Sequence, residues 1–420
     1  MVSTVSPQET KKQSKLLRAA NDALRDPAFL YRVSTQIEAA GVVGEKINAQ
    51  VLFLTALTTQ VFPPVSAMIK GPSSSGKSNL VVGVLSMLPD NMVIDRSGLS
   101  PKALAHGDEL IDRRVLYITE LHGAKEGQYL LRLLQSEGCL KYEFATMNGG
   151  ERETRVVQRS GQIVVITTTT AESIFEDDET RFLSLWSDTS EGQTRAVLLS
   201  RLRQKGSANS HERMVIRKAV SIMRQHEVKL SLPRWFETIV EHVPATLRSR
   251  RDVPRLISLC KVIAMIRAHR NDPQQPTSTE VDLTDYGIAY RLLNDVFSRT
   301  PAKRRTSTDE LVTAVETLFA ERKTGLQVRD VAQFLGWEEA RVYKHAKRAV
   351  ERGALRYEEG SRVNNEKRLV PNGRGLGDFL ISPKGLLRLH PDLAGCEYVD
   401  PLTGMATIIG NPKRKSSGGK

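Results

Sequence analysis

Between residues 65 and 89 the chain runs through an apolar stretch, Val65 to Ile69, then the octet Gly71-Pro-Ser-Ser-Ser-Gly-Lys-Ser78, then a second apolar stretch, Leu80 to Leu88, that stops at Pro89. Few folds accommodate this order. The octet has glycines where the backbone must curl until several N–H groups converge on one anion, and glycine reaches those dihedrals without steric cost. Lys77 adds a mobile cation and Ser78 a hydroxyl suited to Mg²⁺. A helix starting here turns its positive dipole end on the same point. Ser74, Ser75 and Asn79 complete the expected nucleotide-binding set with Gly71, Gly76, Lys77 and Ser78. The pattern is that of a P-loop, in the strand-loop-helix context the motif requires, and it implies ATP and Mg²⁺ as ligands.

Around that loop short β-rich runs alternate with helical ones. Met92 to Ile94, Val115 to Ile118 and Ile163 to Thr167 join Val65 to Ile69 as expected parallel strands, so the fold class is α/β, a parallel sheet flanked by helices. Two helices are expected between Phe29 and Gln60, around a Gly41-Val-Val-Gly-Glu45 break, after a polar lead-in that is flexible or loosely helical to about residue 25. KYEFATM and ERETRVVQ alternate in polarity on either side of Asn148-Gly149-Gly150, which signals a hairpin over 140–158. Past residue 190 the sequence turns helical and basic, through Arg195 to Arg224 and Arg248 to Arg270. The expected organisation is an N-terminal segment (1–60), the P-loop core (61–190), a helical lid (191–297), a basic linker (298–307), a third domain (308–395) and a basic tail (396–420) that ends in GNPKRKSSGGK.

Hydrolysis at a P-loop needs a carboxylate at the end of a neighbouring strand to hold Mg²⁺ or to orient the attacking water, so Glu120 joins Ser78 and Thr119 as an expected metal residue. Arg114-Val-Leu-Tyr-Ile-Thr-Glu120 supplies Glu120 to polarise water, and before it Thr119, whose hydroxyl reaches a Mg²⁺-bound water without adding charge. Thr168 and Thr169, at the end of the Ile163 strand, bring hydroxyls toward the γ-phosphate. Arg181, in Glu179-Thr-Arg-Phe182, is a guanidinium able to neutralise charge on the transferred phosphoryl group.

Taken in this order, and with Arg251-Asp-Val-Pro-Arg255 in the lid, these features resemble the AAA+ ATPases. Within them the chain is similar to the minichromosome-maintenance-like helicases of phages, plasmids and chromosomal islands, over residues 40 to 360. The resemblance implies a homo-oligomeric ring, usually a hexamer, with ATP between neighbours. Lys77, Ser78 and Glu120 would act in cis, and Arg181 would reach the neighbour's γ-phosphate. A second-sensor arginine would come from the lid, at Arg251 or Arg255. The hairpin would project into a central channel and grip single-stranded or forked DNA, with Lys141, Arg152 and Arg155 on phosphates. Thr119 departs from the family's usual aspartate, and no large DNA-binding domain precedes residue 40, so the resemblance is to the motor part alone.

Near the C-terminus Leu311, Val315, Leu318 and Phe319 share one helical face. Val328 to Leu335, the turn Gly336-Trp337, a second helix from Glu338 to Arg352 and a β-wing in RYEEGSRVNNEKRLV then read as a winged helix-turn-helix. Arg341, Lys344, His345, Lys347 and Arg348 would face DNA from its second helix. Composition agrees: 61 Lys+Arg against 48 Asp+Glu give a formal charge of +13, which favours a polyanionic partner. Cys139, Cys260 and Cys396 have neither zinc nor disulfide spacing, and Trp186, Trp235 and Trp337 read as packing residues. No apolar run reaches the roughly 18 residues that span a bilayer, so a cytoplasmic protein without a membrane partner is expected. The expected activity is DNA-stimulated ATP hydrolysis driving translocation or unwinding in the replication of a mobile element. The rival is an ATP-switched DNA-binding adaptor.

Overall fold

In the computed structural model, the described residues are 7–98, 111–119, 125–148, 151–170, 180–202, 209–244, 247–298, 307–322, 324–351, 354–358, 368–371 and 379–410. They form two compact units. Unit 1 comprises residues 1–293 together with 382–420, and unit 2 comprises residues 294–381.

Unit 1 is built on a five-stranded sheet: β1 (Ala67–Lys70), β2 (Val93–Arg96), β3 (Arg114–Ile118), β6 (Ile163–Thr169) and β7 (Leu183–Trp186). Every pairing is parallel, and the spatial order is β2-β3-β6-β1-β7. All residues of β1 and β6 are buried, as a parallel sheet covered on both faces requires. One face packs Met68, Leu116, Ile118 and Val165 against Leu131 and Leu134 of α5 (Lys125–Glu137). The P-loop helix α4 runs from Lys77 to Leu85, shorter than the apolar run expected to continue to Leu88. Strand β7 is an addition to the sequence reading, which named no strand there.

Two ten-residue strands, β4 (Cys139–Asn148) and β5 (Glu151–Ser160), pair only with each other. The register runs from Cys139 opposite Ser160 to Asn148 opposite Glu151, an arm about 30 Å long. Its base is anchored by Leu140, fully buried in the same core.

Three helices precede β1. The lead-in is not loose: Pro7–Arg25 forms α1, with Ala20, Ala23 and Leu24 fully buried. Next come α2 (Phe29–Ala39) and α3 (Lys46–Leu57); α3 is buried continuously from Ala49 to Leu57 and so lies inside the unit. The region expected as a lid contains α6 (Glu191–Leu202), α7 (Ser210–Gln225), β8 (Leu230–Ser231), α8 (Phe236–His242), α9 (Ser249–Asn271), β9 (Thr279–Glu280) and α10 (Leu283–Ser298). Helix α1 packs on α7 and α9.

Unit 2 contains α11 (Ser307–Arg322), α12 (Val328–Leu335), α13 (Glu339–Glu351) and the antiparallel pair β10 (Leu355–Glu358) and β11 (Arg368–Pro371). Leu311, Val315, Val331, Val342, Ala346, Leu355 and Leu369 form its core. A capping box between Gln327 and Asp330 starts α12. Gly336, in the left-handed region at φ 65°, ends it.

The expected C-terminal boundaries are corrected by the structure. Residues 382–395 do not close the third domain, and 396–410 are not tail. After unit 2 the chain returns to unit 1 as α14 (Pro383–Leu389) and the hairpin β12 (Cys396–Val399) and β13 (Ala406–Ile409). This return segment is held at several points. Gln50 on α3, 1% exposed, donates to the Pro401 carbonyl. Arg291 on α10 pairs with Asp400 at 3.2 Å, and the Thr238 hydroxyl lies 2.7 Å from His390 Nε2. The sequence reading missed it because the residues that hold it, Gln50, Thr238 and Arg291, lie more than a hundred positions earlier in the chain. Linker residues 299–306 and tail residues 411–420 lie outside the described residues. Among the described residues no helix is long and apolar enough to cross a membrane, and no His, Cys, Asp and Glu cluster could hold a metal ion.

Candidate functional site: the P-loop edge and an arginine cluster

Strand β1 delivers Lys70 to the carboxyl edge of the sheet, where ligands of open α/β sheets bind. The loop then turns through Ser74 at φ 66° and Gly76 at φ 84° before α4 begins at Lys77. Gly71 has no room for a side chain: a Cβ there would lie 2.0 Å from Ser187 Oγ and 2.9 Å from Ser75 Oγ. Ser187, just past β7, approaches so closely because its N–H donates to the Lys70 carbonyl at 3.0 Å, while its hydroxyl sits 2.9 Å from Ser75 Oγ. The Lys77 ammonium donates to the Gly71 and Pro72 carbonyls at 2.8 and 2.6 Å, and burial pushes its pKa down. An anion that draws Lys77 off these neutral acceptors returns it to full ion-pair strength. Ser78 is exposed in the first turn of the helix. Asn79 does not point at the loop, and its Nδ2 donates instead to the Gly41 carbonyl at 3.0 Å.

That bond reveals a part of the site missed in the sequence. The Gly41–Glu45 segment, read only as a helix break, forms one wall of a cavity of about 1070 Å³ whose floor is Ser73 to Gly76. Gln193, Val197 and Leu198 of α6 line it too, with Arg201 and Arg213. Glu45 fixes the segment by accepting from the Asp188 N–H at 2.8 Å and from Asn48 Nδ2 at 2.6 Å. Gly44, at φ 75°, lets Gln193 close in, because a Cβ would stand 1.9 Å from its Oε1. Two glycines bracketing a break, one helix ahead of the P-loop strand, were the available signal. The volume suits a whole nucleotide.

Strand β6 lies between β1 and β3, so the ends of all three converge. Thr169 is in register with Lys70, the residue entering the loop. The Thr168 hydroxyl donates to the Thr119 carbonyl at 2.6 Å and ties β6 to β3. The two threonines alternate sides of the sheet and serve different ends. Thr119 itself is exposed at the edge, and Glu120 lies outside the described residues.

Arg181 is at the other edge. Leu183 pairs with Ala67, so Arg181 stands level with Val65, six strand residues before Gly71, which is about 20 Å. Arg251 and Arg255 are beside it: Arg251 donates to the Thr180 hydroxyl and Arg255 to the Thr180 carbonyl, and Arg181 donates to the Ser136 hydroxyl. Burial lowers the Arg255 pKa to about 10, against the attraction of Asp252 2.8 Å away, which leaves it cationic at neutral pH. Arg250, absent from the sequence reading, joins these three around a cavity of about 230 Å³. The structure thus gathers the expected arginines and sets them far from the P-loop of their own chain.

On the hairpin Lys141 is exposed opposite Gln158, Arg152 stands opposite Met147 and Arg155 opposite Phe144. The side chains of Arg152 and Arg155 lie outside the described residues. In unit 2, Lys344, Lys347 and Arg348 are exposed on α13, while Val342, Ala346 and Ala349 face the core. Arg341 is exposed but engaged: its guanidinium stacks 4.1 Å over Trp337 and donates to Ser307 Oγ at 3.0 Å. His345 lies 2.9 Å from Thr308 Oγ1, its pKa lowered by burial and by Arg348, Arg341 and Lys344.

Residues 19–225 match the family described as the MTBMA_p00010 P-loop domain. The chain has the P-loop NTPase fold. No curated protein matches the sequence. Among solved structures, a full-length MCM homolog from Methanopyrus kandleri is similar at 15% identity and a TM-score of 0.42, over 72% of this chain and 64% of that one. The Aeropyrum pernix ORC1 protein in complex with DNA is similar at 13% identity and a TM-score of 0.27, over 84% of this chain and 94% of that one. The chain therefore spans less than two thirds of the length of the MCM homolog.

Proposed function

We propose that this protein is an AAA+ ATPase that works on DNA as a homo-oligomer, with each ATP held between two copies, and that it acts as a helicase or translocase in the replication of a mobile element. The observation that carries the reading is the separation of about 20 Å between the P-loop and the cluster of Arg181, Arg251 and Arg255. A guanidinium that must touch the transferred phosphoryl group cannot bridge that distance, whereas a neighbour in a head-to-tail ring of six brings its amino edge to this chain's carboxyl edge. Helix α6 supports the same assembly. It lines the nucleotide cavity yet has no buried residue, and Leu198, Leu199 and Leu202 are exposed. A second copy seated there would cover them.

In that arrangement the loop N–H groups and Lys77 hold the phosphates, and the Gly41–Glu45 wall encloses the remainder of the nucleotide. Glu120 orients and deprotonates the attacking water, Thr169 positions it, and the neighbour's Arg181 neutralises charge as the terminal phosphoryl group departs. Ser78 and Thr119 offer two neutral hydroxyls, a donor set suited to a Mg²⁺ that keeps most of its waters and balances its charge on the phosphates. When bound, that ion would supply neutralisation of phosphate charge. Hairpin residues Lys141, Arg152 and Arg155 grip the DNA backbone. Unit 2, read as a winged helix, adds Lys344, Lys347 and Arg348, with Arg341 held for structure by Trp337.

Thr119 in place of a carboxylate favours a second reading, an adaptor whose ATP promotes assembly. A forked duplex carrying a labelled strand decides between them. Displacement with ATP supports the motor, while assembly on DNA without displacement under the same conditions selects the adaptor.

A further inference from the structure

Helix α1 carries four cations within its first twelve residues, Lys11, Lys12, Lys15 and Arg18, and all four side chains are exposed. Several arginines elsewhere in unit 1 are tied to acids: Arg32 to Glu212, Arg248 and Arg255 to Asp252, Arg267 to Asp285, Arg291 to Asp400. None of the four on α1 has an ion-pair partner among the described residues. The acids of the helix are Glu9 and Asp22, and Asp22 is 3.9 Å from Arg25, one turn beyond the group. At 100° per residue the four cations fill an arc of about 120°, whose centre is turned about 130° from the face where Ala20, Ala23 and Leu24 are fully buried against the rest of unit 1. Lys11 to Arg18 spans about 10 Å along the axis, enough to follow several consecutive phosphates of one strand.

We infer that the exposed face of α1 is a nucleic-acid backbone-binding surface, separate from the hairpin and from unit 2. This inference takes its ligand class from the proposed function. The buried apolar face argues against a lipid surface, because a helix lying on a membrane must spend that face on acyl chains. The helix contains no aromatic residue, so it has no platform for stacking bases. Its contact is with phosphates, indifferent to sequence and strongly sensitive to salt.

The test replaces Lys11, Lys12, Lys15 and Arg18 together by Gln, which keeps helix propensity, with an unchanged thermal melting curve as the check on folding. Binding of the full chain to a labelled duplex is measured from 50 to 200 mM salt. Loss of four phosphate contacts lowers the slope of log K against log salt by about 3 to 4, so the affinity ratio of parent to variant grows about a hundredfold from the high to the low end of that range. A control removing four exposed cations elsewhere, Lys229, Arg234, Lys384 and Arg388, changes the slope by less than one. Equal losses in variant and control reduce the effect to net charge and overturn the inference. So does an unchanged slope accompanied by α1-dependent binding to phosphatidylserine vesicles. A parent chain that binds no nucleic acid overturns the DNA reading of the function and this inference with it, whereas a parent that binds with a slope unmoved by the α1 changes overturns this inference alone.

Discussion

Mixing two inactive variants tests whether the nucleotide site is shared. Lys77→Ala removes the phosphate-binding cation but leaves the arginine cluster intact, and Arg181→Ala does the reverse. The register places Arg181 about 20 Å from Gly71 in the same chain, about three times the reach of an arginine side chain, so relaxation of the loop cannot bring them together. Loss of an arginine that meets the transferred phosphoryl group slows turnover about 10³-fold or more, and each variant alone should be close to inactive. In a one-to-one mixture assembled at random, an interface is whole when its P-loop comes from an Arg181→Ala subunit and its arginine from a Lys77→Ala subunit. With heterologous contacts this holds for about one interface in four, so steady-state phosphate release should recover to about a quarter of the parent's. A mixture that stays at the level of its components, after subunit exchange has been verified, would refute the shared site. An Arg181→Ala chain that hydrolyses ATP like the parent would refute the role of Arg181.

Other outcomes follow from the geometry. Gly71→Ala should abolish nucleotide binding and destabilise the loop by about 1–3 kcal/mol, and Ser187→Ala in the same chain should restore part of the affinity in a fluorescent-nucleotide titration, because Ser187 Oγ is the atom the new Cβ meets. Glu120→Gln should retain ATP binding and lose turnover in a single-turnover assay; intact turnover would remove Glu120 from the mechanism. Replacing Arg152 and Arg155 by Gln should lower the salt slope of duplex binding by about 2, and an unchanged slope would remove the hairpin from the DNA path. His269 on α9 is fully buried, with Nδ1 2.9 Å from the Met265 carbonyl, and burial holds its pKa below 6.5. The unfolded chain then binds a proton more readily than the folded one, so this contribution to stability is present above pH 6.5 and is lost as pH falls through the depressed value. Chemical denaturation at stepped pH should show the loss, and His269→Gln should flatten it.

Local requirements were legible and long-range ones were not. The P-loop could be read because its glycines answer to the backbone of one octet, and the β4–β5 arm because Asn148-Gly149 and alternating polarity act on neighbours in sequence. Helix α1 was left between a flexible and a loosely helical lead-in because its buried face is Ala20, Ala23 and Leu24, whose partners on α7 lie about two hundred positions away. Gly41–Glu45 carries no chemical group that marks a binding wall, and its place is set by Asn79 and Gln193. Thr168 and Thr169 were both expected to turn toward the γ-phosphate, but side-chain alternation separates them and the fold assigns Thr168 to the Thr119 carbonyl. Arg181 was named from the sequence for its residue type alone, and its position at the far edge depended on β7, a strand of four residues.

Because residues 382–410 complete unit 1 after the chain has passed through unit 2, the two ends of unit 2 are both joined to the same body. The genetics of such a chain differ from those of a motor with a terminal appendage. A stop codon placed after residue 293 would remove not only unit 2 but also the strand pair that covers Gln50 and Arg291, and would read out as a folding defect. Unit 2 is removed cleanly only by an internal excision that splices Leu293 to Ser382. A frameshift anywhere within unit 2 would damage unit 1 as well, so nonsense and missense changes in residues 294–381 should fall into different phenotypic classes.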